Sequence, residues 1–207
     1  RSGTTTEIID AVKRLDAGTK VVLTAVAGGP LCGLVDEEVA LGFADEASIV
    51  QTRFPTTALT LLRTALGQDV ESAIADAETA VRDALPVDPA TFDHFVYLGA
   101  GWTVGLAHEA ALKMREAAQA WSESYPAMDY RHGPIAVAGP NSLVWMLGTP
   151  PPGLVEQIED TGAVVVTSDL DPLAQLVQTQ RSAVAVAAAR GLDPDEPRGL
   201  TRSVVLT

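Results

Sequence analysis

Three stretches of this 207-residue chain gather side chains that can do chemistry. The first is the opening turn, Ser2-Gly3-Thr4-Thr5-Thr6, which runs straight into Ile8, Ile9, Ala11, Val12 and Leu15. Hydroxyls and unpaired backbone N–H groups at a helix start can hold a phosphate, since the dipole and the free donors both favour an anion. An ordinary cap uses the same residue types, but four hydroxyl residues within five positions exceed what a cap needs. The second stretch is Glu109, Lys113 and Glu116, spaced i, i+4 and i+7 on one helix face. That triplet reads either as a solvated ion-pair stripe or as part of a ligand site. The small-residue turn before it, Gly99-Ala100-Gly101, favours the site, because ligands of wound sheets sit outside the carboxyl ends of strands. The third is Asp129-Tyr130-Arg131-His132-Gly133-Pro134, where His132 is free to act as acid, base or ligand, or merely caps a surface turn.

The other candidates are weaker. His94 opens a strand and reads as structural, and His108 reads as an exposed or interface residue on the helix. No His, Cys, Asp and Glu set has metal spacing, so no metal is expected. The turn at 99–101 is not a GxGxxG, so no dinucleotide site and no cofactor is expected. Cys32 is the sole cysteine; it excludes a disulfide scaffold and reads as core or loop filler. Asp and Glu number 27 against 14 Lys and Arg, a net charge of −13. That argues against nucleic acid and anionic membrane surfaces as partners. It leaves room for a phosphorylated small ligand, because a local site can oppose the global charge. No apolar run approaches the ~20 residues of a membrane span, and no signal peptide is visible, so a cytoplasmic protein is expected.

The elements that must position these residues alternate. A helix over the opening apolar run is followed by a strand at 20–26, a short helix at 31–35 and a strand at 39–43. Helices are expected at 52–66 and 70–84. Two prolines within residues 86–89 mark the best linker. Beyond it come a strand at 94–99, a long helix at 103–124, a strand at 142–147, a short helix at 154–160, a strand at 163–167 and a helix at 171–190. Alternating strands and helices imply parallel sheets with helices on both faces. A helix start with no strand before it suggests a first domain cut short at its beginning. Residues 193–198, with two prolines, read as a tail passing over a surface.

Taken together, Ser2-Gly3-Thr4-Thr5-Thr6-Glu7 resembles the phosphate loop of the sugar isomerase (SIS) domain family. Residues Glu109 to Glu116, then Glu123-Ser124-Tyr125, then Arg131-His132-Gly133-Pro134, resemble the second SIS domain in the isomerase half of glutamine–fructose-6-phosphate amidotransferases. Residues 195–204 are similar to the tail of those enzymes. The resemblance implies a flavodoxin-like three-layer αβα sandwich in two SIS-type units. Residues 1–88 would be the C-terminal part of the first, 91–192 the second, and 193–207 a tail over the active site.

The resemblance also implies roles. Ser2 and Thr5 match residues that bind a sugar phosphate, with Gly3 and Thr4 completing the loop and Arg1 lining the pocket. Residues 46–52 resemble a loop under the sugar, with Ile49 and Gln51 facing the ligand. Glu116 matches the glutamate that moves a proton between C1 and C2, His132 the histidine that opens the ring from a neighbouring subunit, and Glu109 and Lys113 residues that shape the site. A homodimer with shared active sites follows. The tail lysine of the amidotransferases falls at Arg202, and arginine cannot form a Schiff base, which leaves it an electrostatic role. No glutaminase segment lies within these residues. Isomerisation of a hexose 6-phosphate or deamination of a hexosamine 6-phosphate, through an enediol or enediolamine, or cleavage of a sugar-phosphate conjugate, is therefore expected. The alternative is a sugar-phosphate sensor that binds without chemistry.

Overall fold

The computed structural model describes residues 1–16 and 18–206; Thr207, the end of the expected tail, and Ala17 lie outside the described residues. Two units divide the chain: Arg1–Gln68 with Arg198–Thr207, and Asp69–Pro197.

In the first unit, the opening turn leads into α1 (Thr6–Arg14), which carries Glu7 in its first turn and Lys13 and Arg14 in its last, each matching the helix dipole. The β-branched run forms β1 (Val21–Thr24), paired parallel to β2 (Glu37–Ala40) with Val21 opposite Glu37. The strand expected at 39–43 thus starts earlier, and Gly42–Ala44 closes it as a 3₁₀ turn. The last helix of this unit is α2 (Arg53–Ala65). The tail belongs here: the Thr6 N–H donates to the Val204 carbonyl at 3.1 Å, and the Leu206 N–H to Thr6 Oγ1 at 2.9 Å.

The second unit begins with α3 (Glu71–Arg82), so the division falls well before the prolines at 86–89. The reason is the packing partner of α3, which lies about a hundred residues on. Asp76 Oδ2 accepts the Asp171 N–H at 2.7 Å, and Arg181 Nη1 donates to the Ala80 carbonyl at 2.5 Å and the Asp83 carbonyl at 2.6 Å. Pro89 instead opens a short 3₁₀ turn, capped by Asp88, that feeds β3 (His94–Gly99). After β3 come α4 (Thr103–Ala118), β4 (Ser122–Pro126), β5 (Ser142–Leu147), α5 (Leu154–Glu159), β6 (Val164–Val166) and α6 (Pro172–Ala189). The sheet order is β4-β3-β5-β6, and every pair is parallel.

Strands β3 and β5, buried along their length but for His94, sit in the middle of this sheet, as near-continuous apolar runs should. Val96, Leu98, Val144 and Met146 face Leu154 and Ile158 of α5 and the buried Tyr130. The alternate residues Phe95, Tyr97, Leu143 and Trp145 are buried on the other face, where α4 and α6 pack. Helices thus cover both faces in three layers. The helix expected to reach residue 124 stops at Ala118, because Gln119 turns left-handed (φ 50°, ψ 35°). Its N–H returns to the Arg115 carbonyl at 3.1 Å, which closes the last turn without the usual glycine. The freed residues form β4, which the sequence pattern does not reveal. Among the described residues, no helix is long and apolar enough to cross a membrane.

Gly99 sets how closely α4 approaches β3. A Cβ there would lie 2.4 Å from the Thr103 carbonyl oxygen. Thr103 is itself tied down, donating from Oγ1 to the Leu147 carbonyl at 2.7 Å. Gly99→Ala is therefore expected to cost about 3 kcal/mol, read as a lowered urea midpoint; an unchanged midpoint would show that the turn can move.

Candidate functional site

In the first unit, the opening turn is fixed at both ends. The Arg1 carbonyl accepts the Ala25 N–H at 3.0 Å and the Thr24 hydroxyl at 2.8 Å, anchoring the turn to the carboxyl end of β1. Gly3 takes φ +68°, the left-handed region that favours glycine. Ser2 Oγ and Thr4 Oγ1 are 2.9 Å apart, and Thr4 Oγ1 donates to Ser203 Oγ of the tail at 2.9 Å. Thr5 stands at the N-cap of α1, yet its hydroxyl makes no capping bond. Arg1, Ser2, Gly3 and Thr5 line a cleft of about 330 Å³ whose remaining wall is apolar, from Ile8, Val12, Leu31 and β1.

Residues 45–48 hold the charged side of this region. Glu46 is turned inward, 9% exposed, onto the first turn of α2. Its carboxylate accepts the N–H groups of Thr52 (2.9 Å), Arg53 (3.0 Å) and Phe54 (3.0 Å) and the Thr52 hydroxyl (3.1 Å). It caps a helix whose own N-cap residue, Thr52, makes no side-chain cap. Burial by itself raises the Glu46 pKa, but the donors from Phe54, Arg53 and Thr52 outweigh it and hold the group below its ordinary value.

With its carboxylate turned away, Glu46 leaves its carbonyl to two guanidinium groups. Arg202 Nη1 donates to it at 2.8 Å and Arg1 Nη1 at 3.3 Å. Arg1 Nη1 also donates to the Ser48 carbonyl at 2.7 Å, and Arg202 Nη2 lies 2.5 and 2.7 Å from the two Asp45 carboxylate oxygens. The Arg202 bonds hold the Asp45 carboxyl below the usual range, against the opposing effect of burial. Ile49 and Gln51 are half-buried in the same loop.

In the second unit, Lys113 is not on a solvated stripe. Its side chain is 5% exposed, with Nζ 2.5 Å from Glu116 Oε2 and 3.5 Å from Glu109 Oε1. Burial pushes the Glu109 carboxyl up, Lys113 pulls it down, and Glu116 adds to the rise. The packing side of α4 is as expected: Ala107, Ala110, Ala111, Met114 and Ala118 are fully buried. His132 ends a 3₁₀ turn (Asp129–His132), is exposed, and makes no hydrogen bond among the described residues. His94 is held by Ser142 Oγ at 2.9 Å with Glu123 at 3.4 Å, a structural role as expected, and the exposed His108 bonds Ser124 Oγ at 2.8 Å. Cys32 is a half-buried free thiol in a 3₁₀ turn. A second cleft, about 290 Å³, is lined by Thr149, Pro150, Thr167, Ser168 and Asp169 and contains none of the expected residues. Among the described residues, no group of three His, Cys, Asp or Glu could hold a metal.

No family model matches the chain; the likeness rests on relatives and on solved structures. The isomerizing glutamine–fructose-6-phosphate aminotransferase of Pyrobaculum aerophilum is 28% identical across 100% of this chain. The chain spans 42% of that relative. The corresponding enzyme of Bacteroides thetaiotaomicron is 31% identical over 56% of this chain and 24% of its own length. A glucosamine-6-phosphate deaminase structure from Thermotoga maritima superposes with a TM-score of 0.80 at 26% identity, covering 100% of this chain and 73% of that one. The chain thus resembles the phosphosugar-handling proteins of the sugar isomerase (SIS) family. Its likeness to that family includes the isomerase half of the aminotransferases. A tagatose-6-phosphate ketose/aldose isomerase from Escherichia coli, at 18% identity and a TM-score of 0.78, shares the SIS fold.

Of the expected SIS site residues, the first unit gathers Arg1, Ser2, Gly3, Thr4, Thr5 and Arg202, and the second gathers Glu109, Lys113 and Glu116. His132 stands apart from that trio in its own loop. Sequence reasoning missed Asp45 and Ser203. Their partners, Arg202 and Thr4, lie 157 and 199 residues away, so no local pattern marks either one.

Glu46→Gln should cost about 1–3 kcal/mol at neutral pH, because the amide puts donors where N–H groups already point. The sign with pH follows from the lowered folded pKa. The stabilisation is complete above the unfolded-state value and disappears as pH falls through the folded one. The gap between wild type and variant in urea unfolding should therefore close only below the ordinary carboxylate range. A gap that persists unchanged there would mean the charge is not what caps α2.

Proposed function

We propose that the chain is a phosphosugar isomerase or deaminase that acts on a hexose or hexosamine 6-phosphate. The observation that carries this reading is the opening turn: Arg1, with its buried guanidinium, and Ser2, Gly3 and Thr5 line a cleft at the start of α1. The similarity to a glucosamine-6-phosphate deaminase along the whole chain supports it. The phosphate supplies binding energy remote from the reacting carbons and orients the open-chain sugar.

Proton transfer is assigned to Glu116. Isomerisation needs one base that removes a proton at one carbon of the C1–C2 pair and returns it at the other, through an enediol. One Glu116 oxygen, Oε2, is fixed by the Lys113 ammonium, and Oε1 makes no hydrogen bond among the described residues. A carboxylate held on one side and open on the other can move a proton over the ~1.5 Å between bonded carbons without reorienting. Glu109 helps hold Lys113. His132, exposed and uncommitted, is assigned to ring opening in the site of a second copy within a homodimer.

Glu116→Gln on the full-length protein should lower turnover of a hexosamine or hexose 6-phosphate by about 10²–10⁴-fold while sugar-phosphate affinity stays close to wild type. The pair Ser2→Ala with Thr5→Ala should instead weaken binding first. Turnover that survives Glu116→Gln would sink this assignment; binding with no turnover in any hexose or hexosamine phosphate would favour a sensor.

A further inference from the structure

The Arg1 side chain is 1% exposed, and only one of its nitrogens is used. Nη1 serves the Glu46 and Ser48 carbonyls, while Nε and Nη2 are buried with no hydrogen-bond partner among the described residues. A buried guanidinium with two idle nitrogens is costly unless an anion completes it. The nearest anion is Asp45, whose Oδ1 is 3.9 Å from Nε, outside hydrogen-bond range. What keeps Asp45 there is Arg202, which takes both of its oxygens at 2.5 and 2.7 Å. The other nearby carboxylate, Glu46, is spent on α2.

We propose that Arg202 is a positioning residue that acts through Asp45: by occupying that carboxylate it leaves Arg1 Nε and Nη2 for the phosphate of the ligand. The inference rests on the phosphosugar reading above. Of the two guanidinium groups at the Glu46 carbonyl, Arg202 is matched by Asp45 and the Glu46 carboxylate is spent on α2, so Arg1 is the one with no carboxylate in hydrogen-bond range. Without Arg202, the Asp45 carboxylate has Arg1 Nε 3.9 Å away, while the other guanidinium beside it, Arg53, is engaged by the Asp45 backbone carbonyl. Asp45 would then compete with the phosphate for the same donors and repel it as well. The cleft beside Arg1 is the one lined by Ser2, Gly3 and Thr5, so the competition takes place where the ligand is expected.

The plainer role for the Arg202–Asp45 pair is to fasten the tail, which Thr4–Ser203 and Thr6–Val204 contacts also do. The two roles differ in what Asp45→Asn does. As a fastener, Asp45 and Arg202 are equivalent, and losing either frees the tail. As competitors for Arg1, they have opposite effects.

The test is calorimetric titration of the full-length protein with fructose 6-phosphate, and with fructose as the phosphate-free control. Arg202→Gln should weaken fructose 6-phosphate binding by about tenfold or more, the scale of a lost charge-assisted contact. Asp45→Asn should tighten it by about two- to fivefold, as expected when one unscreened like charge leaves the vicinity. The double variant Asp45→Asn with Arg202→Gln should return to within about threefold of wild type, since the competitor is gone along with its guard. If Asp45→Asn weakens binding as Arg202→Gln does, or the double variant stays as weak as Arg202→Gln, the pair is a fastener and the proposal is overturned. If wild type binds fructose 6-phosphate no better than fructose, the phosphosugar reading itself falls, and this inference with it.

Discussion

The inward turn of the Glu46 carboxylate is the contact on which the first unit's chemistry depends. Glu46 does two things at once. The carboxylate satisfies the N–H groups that start α2, while the carbonyl of the same residue accepts from Arg1 and Arg202. A carbonyl shared by two guanidinium groups is possible only where the neighbouring negative charge is already committed, since otherwise an ion pair would displace it. The opening turn, the 45–48 loop and the tail are thus tied through one residue. None of these segments has a core of its own: α1 and α2 contain no fully buried residue. Polar contacts therefore do positioning work here that apolar packing does in the second unit.

The second unit is built by the opposite logic. Its sheet is buried on both faces, so α4 is held rigidly by alanines and Met114 against β3 and β4. On such a helix, a lysine can be buried at a fixed place and two glutamates set around it. A lysine ammonium has three donors that rotate freely, so it can hold two carboxylates at once where a planar guanidinium would fix one geometry. The close approach permitted by Gly99 sets the start of α4, and hence the register of Glu109, Lys113 and Glu116 along the sheet's edge.

Much of this was legible from the residues, in proportion to how local the cause was. The runs at 94–99 and 142–147 are apolar throughout and so declare buried parallel strands. The hydroxyl turn and the Glu109–Lys113–Glu116 spacing declare themselves within a few positions. Illegible were features set by distant partners. Strand β4 reads as more helix because Gln119, not glycine, ends α4, and because a half-buried edge strand of Ser, Glu, Ser and Tyr has no apolar run. Helix α3 reads as part of the first unit because prolines mark the local break, whereas Asp76 and Arg181 bind it to α6. Asp45 looks like any acidic loop residue until Arg202 is beside it.

Net charge is a poor guide to such sites because what a ligand meets is the charge left uncommitted. The chain carries −13 overall, yet around Arg1 each nearby carboxylate already has its donors, and two guanidinium nitrogens of Arg1 are left without a hydrogen-bond partner among the described residues. Around Lys113 the remainder has the other sign, two carboxylates to one ammonium. The enediol chemistry proposed above calls for both kinds of remainder: a cationic one for the phosphate and a carboxylate with a free oxygen for the carbon acid. If the two were built on one loop, they would pair with each other and neither would be left for substrate. Each remainder is set by neighbours within its own unit: Arg202 and Asp45 beside Arg1, and Lys113 between Glu109 and Glu116.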